Sequence, residues 1–151
     1  MDHEILKRLY KYCAYQDRFK SEVQQKLSEW DSPSEDWDLY LTHLEKERFL
    51  DENRYTHSFV RGKFFIKKWG KQKIKQALRR KSIPNSLIEE TINQEIDAET
   101  YSATLQKLVQ QKLTQYHNLD EQTQKEKIFR FLMQKGFEYA EIQNAWEDIR
   151  R

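Results

Sequence analysis

The sequence predicts an all-α protein, built as an elongated array of three tandem three-helix repeats with about nine helices. Only three Gly and two Pro occur in 151 residues, and the helix formers Lys, Glu, Gln and Leu are abundant. Apolar residues also recur at fixed offsets along the chain, which is typical of one supersecondary unit used several times. No segment shows the alternation of apolar and polar residues that indicates a strand.

Three offsets define the repeat. Val23 and Leu27 recur 51 positions on as Ile74 and Leu78. A set of five apolar residues recurs 54 positions on, where Ile74, Leu78, Ile83, Ile88 and Ile92 correspond to Ile128, Leu132, Phe137, Ile142 and Trp146. Another set recurs 46 positions on, where Leu50, Asp51, Tyr55 and Phe59 correspond to Ile96, Asp97, Tyr101 and Leu105. We therefore expect repeats over residues 1–50, 51–96 and 97–151, each burying a small aromatic and aliphatic cluster.

The first repeat is predicted to begin with a helix over residues 4–15. Ser21 would open the second helix, with Gln24 three residues later completing a capping box. A turn at Pro33 would precede a third helix capped by Ser34.

In the second repeat, Asp51 is predicted to cap one long helix that continues to about Trp69. Its apolar stripe would be Tyr55, Phe59, Gly62, Ile66 and Trp69. Gly70 would end this helix, and further helices would follow over residues 71–80 and from about residue 85. The third repeat would place helices over residues 97–115, 121–135 and 138–149, with Gly136 as a C-terminal cap.

The sequence offers little catalytic chemistry. The four histidines are scattered and none has a partner at metal-ligand spacing, so no metal, cofactor or catalytic residue is predicted and an enzyme is not expected. Cys13 is interpreted as a small core residue and cannot form an internal disulfide. No apolar run approaches the ~20 residues that span a bilayer, and the start of the chain lacks the layout of a secretory signal. These features indicate a cytoplasmic protein without a membrane partner.

Charge is the most informative feature. Residues 53–88 contain no Asp or Glu and eleven basic residues, whereas residues 1–52 have a net charge of −5 and residues 89–151 a net charge of −4. A concentration of positive charge of this kind suits a polyanionic or acidic partner. The predicted binding residues are Arg54, Arg61, Lys63, Lys67, Lys68, Lys71, Lys73, Lys75, Arg79, Arg80 and Lys81.

Two helical faces are predicted within this cationic segment: Arg54, Arg61 and Lys68 at seven-residue intervals, and Lys71, Lys75 and Arg79 at four-residue intervals. A plain solvated surface is the alternative, but the segment lacks the acidic neighbours at i,i+4 that usually accompany one. Phe64, Phe65 and Trp69 could stack on bases or lie in the core, and Phe64 and Phe65 cannot both face inward. A helix-turn-helix DNA-binding protein is the competing interpretation.

Three motifs occur in order and together extend over most of the chain. They are the segment Phe-Leu-Asp-Glu-Asn-Arg-Tyr at residues 49–55, the segment from Trp69 to Leu78 with Lys81-Ser82-Ile83, and the segment from Lys127 to Phe137 with Ile142 and Trp146. Together these motifs resemble the RecX family of bacterial regulatory proteins. Ser82 stands where the family usually has Gly, and Tyr55 replaces Phe conservatively.

The resemblance implies a modular protein that binds the groove of the RecA filament on DNA. Family members block filament extension or promote its disassembly, and so lower strand exchange and the coprotease activity of RecA in the SOS response. We therefore expect a non-enzymatic inhibitor acting in DNA repair and recombination, monomeric, with weak and unselective binding to single- or double-stranded DNA. A helix-turn-helix-like DNA-binding protein that acts without RecA is one alternative, and a helical scaffold that binds some other protein on its concave face is another.

Overall fold

The structure is a computed structural model that describes residues 1–150, and across this range it contains nine α-helices and no strand. The predicted all-α array is confirmed. The helices are α1 (His3–Tyr15), α2 (Lys20–Glu29), α3 (Trp37–Lys46), α4 (Glu52–Arg61), α5 (Lys71–Arg80), α6 (Asn85–Glu95), α7 (Ala98–Gln115), α8 (Glu121–Gln134) and α9 (Tyr139–Arg150). A 3₁₀ turn (Ser34–Asp36) precedes α3, and a π-helical turn (Gly62–Ile66) continues α4. We refer to α1–α3, α4–α6 and α7–α9 as the first, second and third trios.

The repeat is visible in the turns after α2, α5 and α8. Asp31, Ser82 and Gly136 lie at the offsets found in the sequence, and their φ angles are 58°, 62° and 104°. In each turn the residue after the left-handed one donates its N–H to a carbonyl five residues earlier, for example Ile83 to Leu78 at 3.3 Å and Phe137 to Leu132 at 3.1 Å. This bond satisfies a carbonyl that the helix end leaves unpaired. The prediction that Gly136 caps a helix is confirmed.

The helix starts agree with the sequence in part. The Asp51 carboxylate accepts from the N–H of Arg54 at 2.9 Å, and that of Asp97 accepts from the N–H of Thr100 at 2.7 Å, as expected for N-caps. The capping box at Ser21 was wrong, because α2 already begins at Lys20. The Ser21 hydroxyl instead donates to the Lys81 carbonyl at 2.6 Å, and so links the first trio to the second.

The predicted long helix to Trp69 was also wrong. The π turn over Gly62–Ile66 changes the register, and the chain leaves the helix at Lys68, which has a φ of 60°. The fully buried side on α4 and its π turn consists of Thr56, Val60 and Phe64, whereas Ile66 is 77% exposed.

The core has two parts. One cluster lies within the first trio and includes Leu9, Leu27 and Leu44. The other is continuous through the second and third trios, so these two do not bury separate clusters as expected.

Backbone contact fuses the second trio to the third. Gly70 donates its N–H to the Lys135 carbonyl at 2.7 Å, and Gln72 donates to the Gly136 carbonyl at 3.0 Å. A Cβ atom at Gly70 would lie 2.3 Å from the carbonyl carbon of Gly136, so only glycine permits this approach.

The first trio meets the second mainly through side chains. Besides the Ser21 bond, the Lys20 N–H donates to Glu52 at 2.8 Å, and Phe19 packs on Tyr55 with ring centroids 5.0 Å apart. No helix within residues 1–150 has the length and apolar character that crossing a lipid bilayer requires.

Candidate functional site

The eleven predicted binding residues divide into two groups by their partners. Three of them form ion pairs with carboxylates brought in by the fold: Arg54 with Asp17 at 3.0 Å, Arg61 with Glu95 at 2.9 Å, and Lys75 with Glu89 at 3.1 Å. These acids lie outside residues 53–88, so sequence spacing could not reveal them. Part of the charge that seemed unrelieved is thus neutralised locally.

The other eight have no carboxylate within ion-pair distance among the described residues: Lys63, Lys67, Lys68, Lys71, Lys73, Arg79, Arg80 and Lys81. Arg79 donates to the side-chain oxygen of Asn85 at 3.1 Å, and the Lys71 ammonium lies 4.5 Å from the ring centroid of Tyr101. This unpaired group is the candidate surface for a polyanionic or acidic partner.

In the structure, neither of the two predicted helical faces is a row of unpaired charges. Arg54 and Arg61 are paired and Lys68 lies beyond the end of the helix, while on α5 Lys75 is paired with Glu89. The structure therefore does not bring either row together as a set of free charges.

A row of aromatic rings underlies part of the unpaired group. The ring centroids of Phe19 and Tyr55 are 5.0 Å apart, those of Tyr55 and Phe59 are 6.0 Å apart, and those of Phe59 and Trp69 are 6.4 Å apart. All four rings are half-buried at the edge of the second core. The sequence analysis missed this row because Phe19 comes from the first trio.

Three lysines lie over these rings. The Lys81 ammonium is 4.9 Å from the Phe19 centroid and 5.4 Å from that of Phe59. The Lys63 ammonium is 5.4 Å from Phe59 and 4.7 Å from Trp69, and that of Lys73 is 4.3 Å from Trp69.

These contacts favour the observed positions of the three charges. The ring face attracts each ammonium by about 0.5–1 kcal/mol. Since this is comparable to the thermal energy, it biases the charges toward these positions before a partner arrives and does not lock them there.

The aromatics considered for base stacking have other roles. Phe64 is buried and packs on Tyr101 at 5.7 Å between centroids, while Phe65 is 44% exposed and meets Phe64 edge to face. The prediction that only one of this pair faces inward is confirmed. Trp69 is half-buried, and the ammonium groups of Lys63 and Lys73 lie 4.7 and 4.3 Å from its ring centroid.

The remaining reactive groups have structural roles. Cys13 lies in the first core, as predicted, and burial raises the pKa of its thiol. Burial also raises the pKa of Tyr55 to about 12. His57 contacts Glu95 at 2.8 Å, and nowhere in residues 1–150 do three or more His, Cys, Asp or Glu side chains assemble into a possible metal site.

Two family models match the chain. The model described as RecX, second three-helix domain, matches residues 51–92, and the model described as RecX, third three-helix domain, matches residues 99–146. These segments coincide with the second and third trios.

Similar proteins carry the same family name. A regulatory protein RecX from Limosilactobacillus reuteri (strain DSM 20016) is 31% identical over 130 residues, which cover 86% of this chain and 49% of that protein. One from Streptococcus mutans serotype c is 30% identical over 139 residues, covering 91% and 52%. The chain thus spans about half the length of the curated relatives it matches.

Two solved structures share the fold. A crystal structure of a regulatory protein RecX has a TM-score of 0.85 and 28% identity, and the match covers 96% of this chain and 72% of the other. A RecX from Lactobacillus salivarius also has a TM-score of 0.85, with 22% identity and 99% coverage of both chains. At that identity the second match demonstrates the fold alone.

Proposed function

The chain belongs to the RecX family, and we propose that it regulates RecA by binding in the groove of the RecA filament on DNA. Bound there, it blocks filament extension or promotes disassembly, and so lowers strand exchange and coprotease activity during DNA repair and the SOS response. It acts by occupancy, as a cytoplasmic monomer without catalytic chemistry. The observation that carries this proposal is the unpaired basic group on the second trio, because such a group can bind either acidic protein surface or DNA phosphates within the filament.

The serial arrangement of the trios supports groove binding. Three units in a row can contact more than one recombinase subunit, and each added contact raises affinity through effective concentration. The negatively charged segments on either side of the basic one oppose indiscriminate binding to free nucleic acid, which favours the filament over bare DNA.

The test measures RecA ATPase and strand exchange on single-stranded DNA with increasing amounts of the protein. We expect both activities to fall. A triple variant, Lys67→Gln, Lys68→Gln and Arg80→Gln, removes three unpaired charges without breaking an ion pair. If each contact contributes about 0.5–1 kcal/mol, the concentration needed for inhibition rises roughly 10- to 100-fold.

A matched control variant removes the same number of positive charges from the first trio. Lys7→Gln, Lys11→Gln and Lys46→Gln replace exposed lysines that form no ion pair in the structure described. This control should inhibit like the unmodified protein, and both variants should keep their helical circular dichroism. Equal loss of inhibition in the two variants would contradict a specific basic surface.

The alternative function, a DNA-binding regulator that acts without RecA, predicts a different result. The isolated protein would bind one duplex sequence far more tightly than random duplex or single-stranded DNA. A gel-shift series with these three DNAs separates the two functions, because the filament regulator binds all three weakly and without selectivity.

A further inference from the structure

The row of lysines over aromatic rings does not end with the second trio. In the third trio the Lys112 ammonium lies 3.9 Å from the ring centroid of Phe131 and 5.8 Å from that of Tyr116. The Lys135 ammonium lies 5.6 Å from Phe131, and that of Lys127 lies 5.8 Å from Tyr116. These lysines are outside the cationic segment of the sequence, so net charge by segment concealed them.

The two groups of lysines meet at the junction between the trios. A Cβ atom added at Gly136 would lie 2.5 Å from the Cβ of Lys73, so the backbone of Lys135 and Gly136 runs directly beside Lys73. Burial lowers the pKa of Lys135, and the neighbouring charges of Lys73 and Lys112 lower it further. The Lys135 ammonium donates to the Lys67 carbonyl at 2.8 Å, which fixes it at this junction.

Shared contacts place the lysines in one order. Lys81 and Lys63 share the Phe59 ring, Lys63 and Lys73 share the Trp69 ring, and Lys73 and Lys135 meet at the junction. Lys135 and Lys112 then share the Phe131 ring, and Lys112 and Lys127 share the Tyr116 ring. Two ammonium groups that share a ring can be no further apart than the sum of their distances to its centroid, so each such pair lies within about 12 Å.

We propose that Lys81, Lys63, Lys73, Lys135, Lys112 and Lys127 form a lysine strip that binds the phosphodiester backbone of a nucleic acid across the second and third trios. The proposal rests on the proposed function in one respect: the nucleic acid in question is the DNA within the filament. It adds that the third trio takes part, and that this surface contacts phosphate and not protein.

The chemistry of the strip favours a phosphate backbone. None of its six lysines has an ion-pair partner among residues 1–150, so no carboxylate neutralises these charges. Two of the ammonium groups donate to neutral oxygens, Lys112 to the Gln115 side chain at 3.0 Å and Lys135 to the Lys67 carbonyl at 2.8 Å. Contacts between ammonium groups and phosphate oxygens carry no sequence information, so binding through the strip does not depend on base sequence. A closely spaced row of like charges matches a polymer with one charge per phosphate, whereas a folded acidic protein mixes carboxylates with other groups.

The experiment measures fluorescence anisotropy of labelled mixed-sequence oligonucleotides, one single-stranded and one duplex, over a range of KCl concentrations and without RecA. The test variant is Lys112→Gln with Lys127→Gln, and the control is Lys7→Gln with Lys11→Gln. Lys135 stays in place because its ammonium holds the Lys67 carbonyl. Each lost phosphate contact should flatten the slope of log affinity against log salt by about 0.7 for the single strand or 0.9 for the duplex.

At 0.1 M salt, a slope change of about 0.7 corresponds to roughly fivefold weaker binding per lysine. We expect these losses in the test variant and not in the control, and the oligonucleotide that shows them identifies the form of nucleic acid bound. Equal slopes for the test variant and the control with both oligonucleotides would overturn the proposal. So would a test variant that loses binding to the RecA filament but keeps its affinity for DNA, because the strip would then contact protein.

The two proposals can fail separately. Because this assay contains no RecA, binding through the strip can be measured even if the protein has no effect on the filament. Conversely, the Lys112→Gln and Lys127→Gln variant could still inhibit RecA and bind DNA with unaltered affinity. That result would contradict the lysine strip but not the proposed regulation of the filament.

Discussion

Replacing Gly70 by alanine should loosen the junction between the second and third trios. The added Cβ would lie 2.3 Å from the carbonyl carbon of Gly136 and 2.4 Å from the amide nitrogen of Phe137. Both are backbone atoms held by α8 and α9, so no flexible side chain can make way. The trios must move apart, which stretches the bonds from Gly70 to Lys135 and from Gln72 to Gly136.

The magnitude follows from these contacts. Two hydrogen bonds contribute about 1 kcal/mol each, and forcing an extra carbon into a packed site costs about 1–3 kcal/mol. We therefore expect Gly70→Ala to lower the free energy of unfolding by about 3–5 kcal/mol. For a chain of this length, this corresponds to roughly 10 °C in melting temperature.

Gly62→Ala is the matched control. Gly62 has helical backbone angles, and a Cβ there would meet no atom within 4 Å. Alanine should therefore stabilise the helix by about 0.5–1 kcal/mol through its higher helix propensity. Urea denaturation followed by circular dichroism measures both variants. Equal midpoints for the two, or a more stable Gly70→Ala, would refute the account of the junction.

Two further predictions concern single side chains. Ser82→Gly should raise the free energy of unfolding in urea by about 0.5–1 kcal/mol, because Ser82 adopts a φ of 62° that costs little only for glycine; a loss of stability would contradict this. Burial raises the pKa of Tyr55 to about 12. The folded state therefore keeps the Tyr55 hydroxyl neutral at pH values where the unfolded chain, whose tyrosine pKa is near 10, is ionised. The free energy of unfolding consequently falls as pH rises from about 10 to 12. Tyr55→Phe should reduce this alkaline loss in urea midpoints measured from pH 8 to 12, and an unchanged pH profile would rule out Tyr55 as its source.

The repeat and its turns were predictable because they depend on local chemistry. Apolar residues at constant offsets mark the buried side of each helix, and Asp51 satisfies the N–H groups of the helix that follows it. The left-handed turn at Ser82 could also be located in the sequence. Ser82 is equivalent to Asp31 and Gly136 in the repeat, and all three residues have a positive φ. The repeat boundaries at residues 50 and 96 stay a prediction.

The register after Arg61 was not predictable in the same way. A regular period of 3.6 residues placed Ile66 and Trp69 on the buried stripe, but the π turn inserts extra backbone and points Ile66 into solvent. Propensities do not encode such a turn. It arises from tertiary packing, in which Phe64 fills the second core against Tyr101.

The candidate surface was half predictable. Segment charge identified the basic residues of the second trio, but pairing depends on distances in space, and acids at positions 17, 89 and 95 neutralise three of the eleven. The lysines of the third trio escaped notice because they lie in a segment of negative net charge. An aromatic residue four positions from a lysine, such as Tyr116 after Lys112 or Phe131 before Lys135, is the signal that could have found two of them.

The division of the core into two clusters determines which trios keep fixed positions relative to each other. The lysine strip lies on the second and third trios, which share one core and a backbone junction at Gly70 and Gly136, so its charges keep fixed relative positions. The first trio has its own core and meets the second through a few side chains, including the Arg54–Asp17 pair and the Ser21–Lys81 bond. We expect separation at this smaller junction to require less free energy than separation at the fused one. We therefore expect the charges of the strip to keep their spacing when the first trio moves relative to the other two.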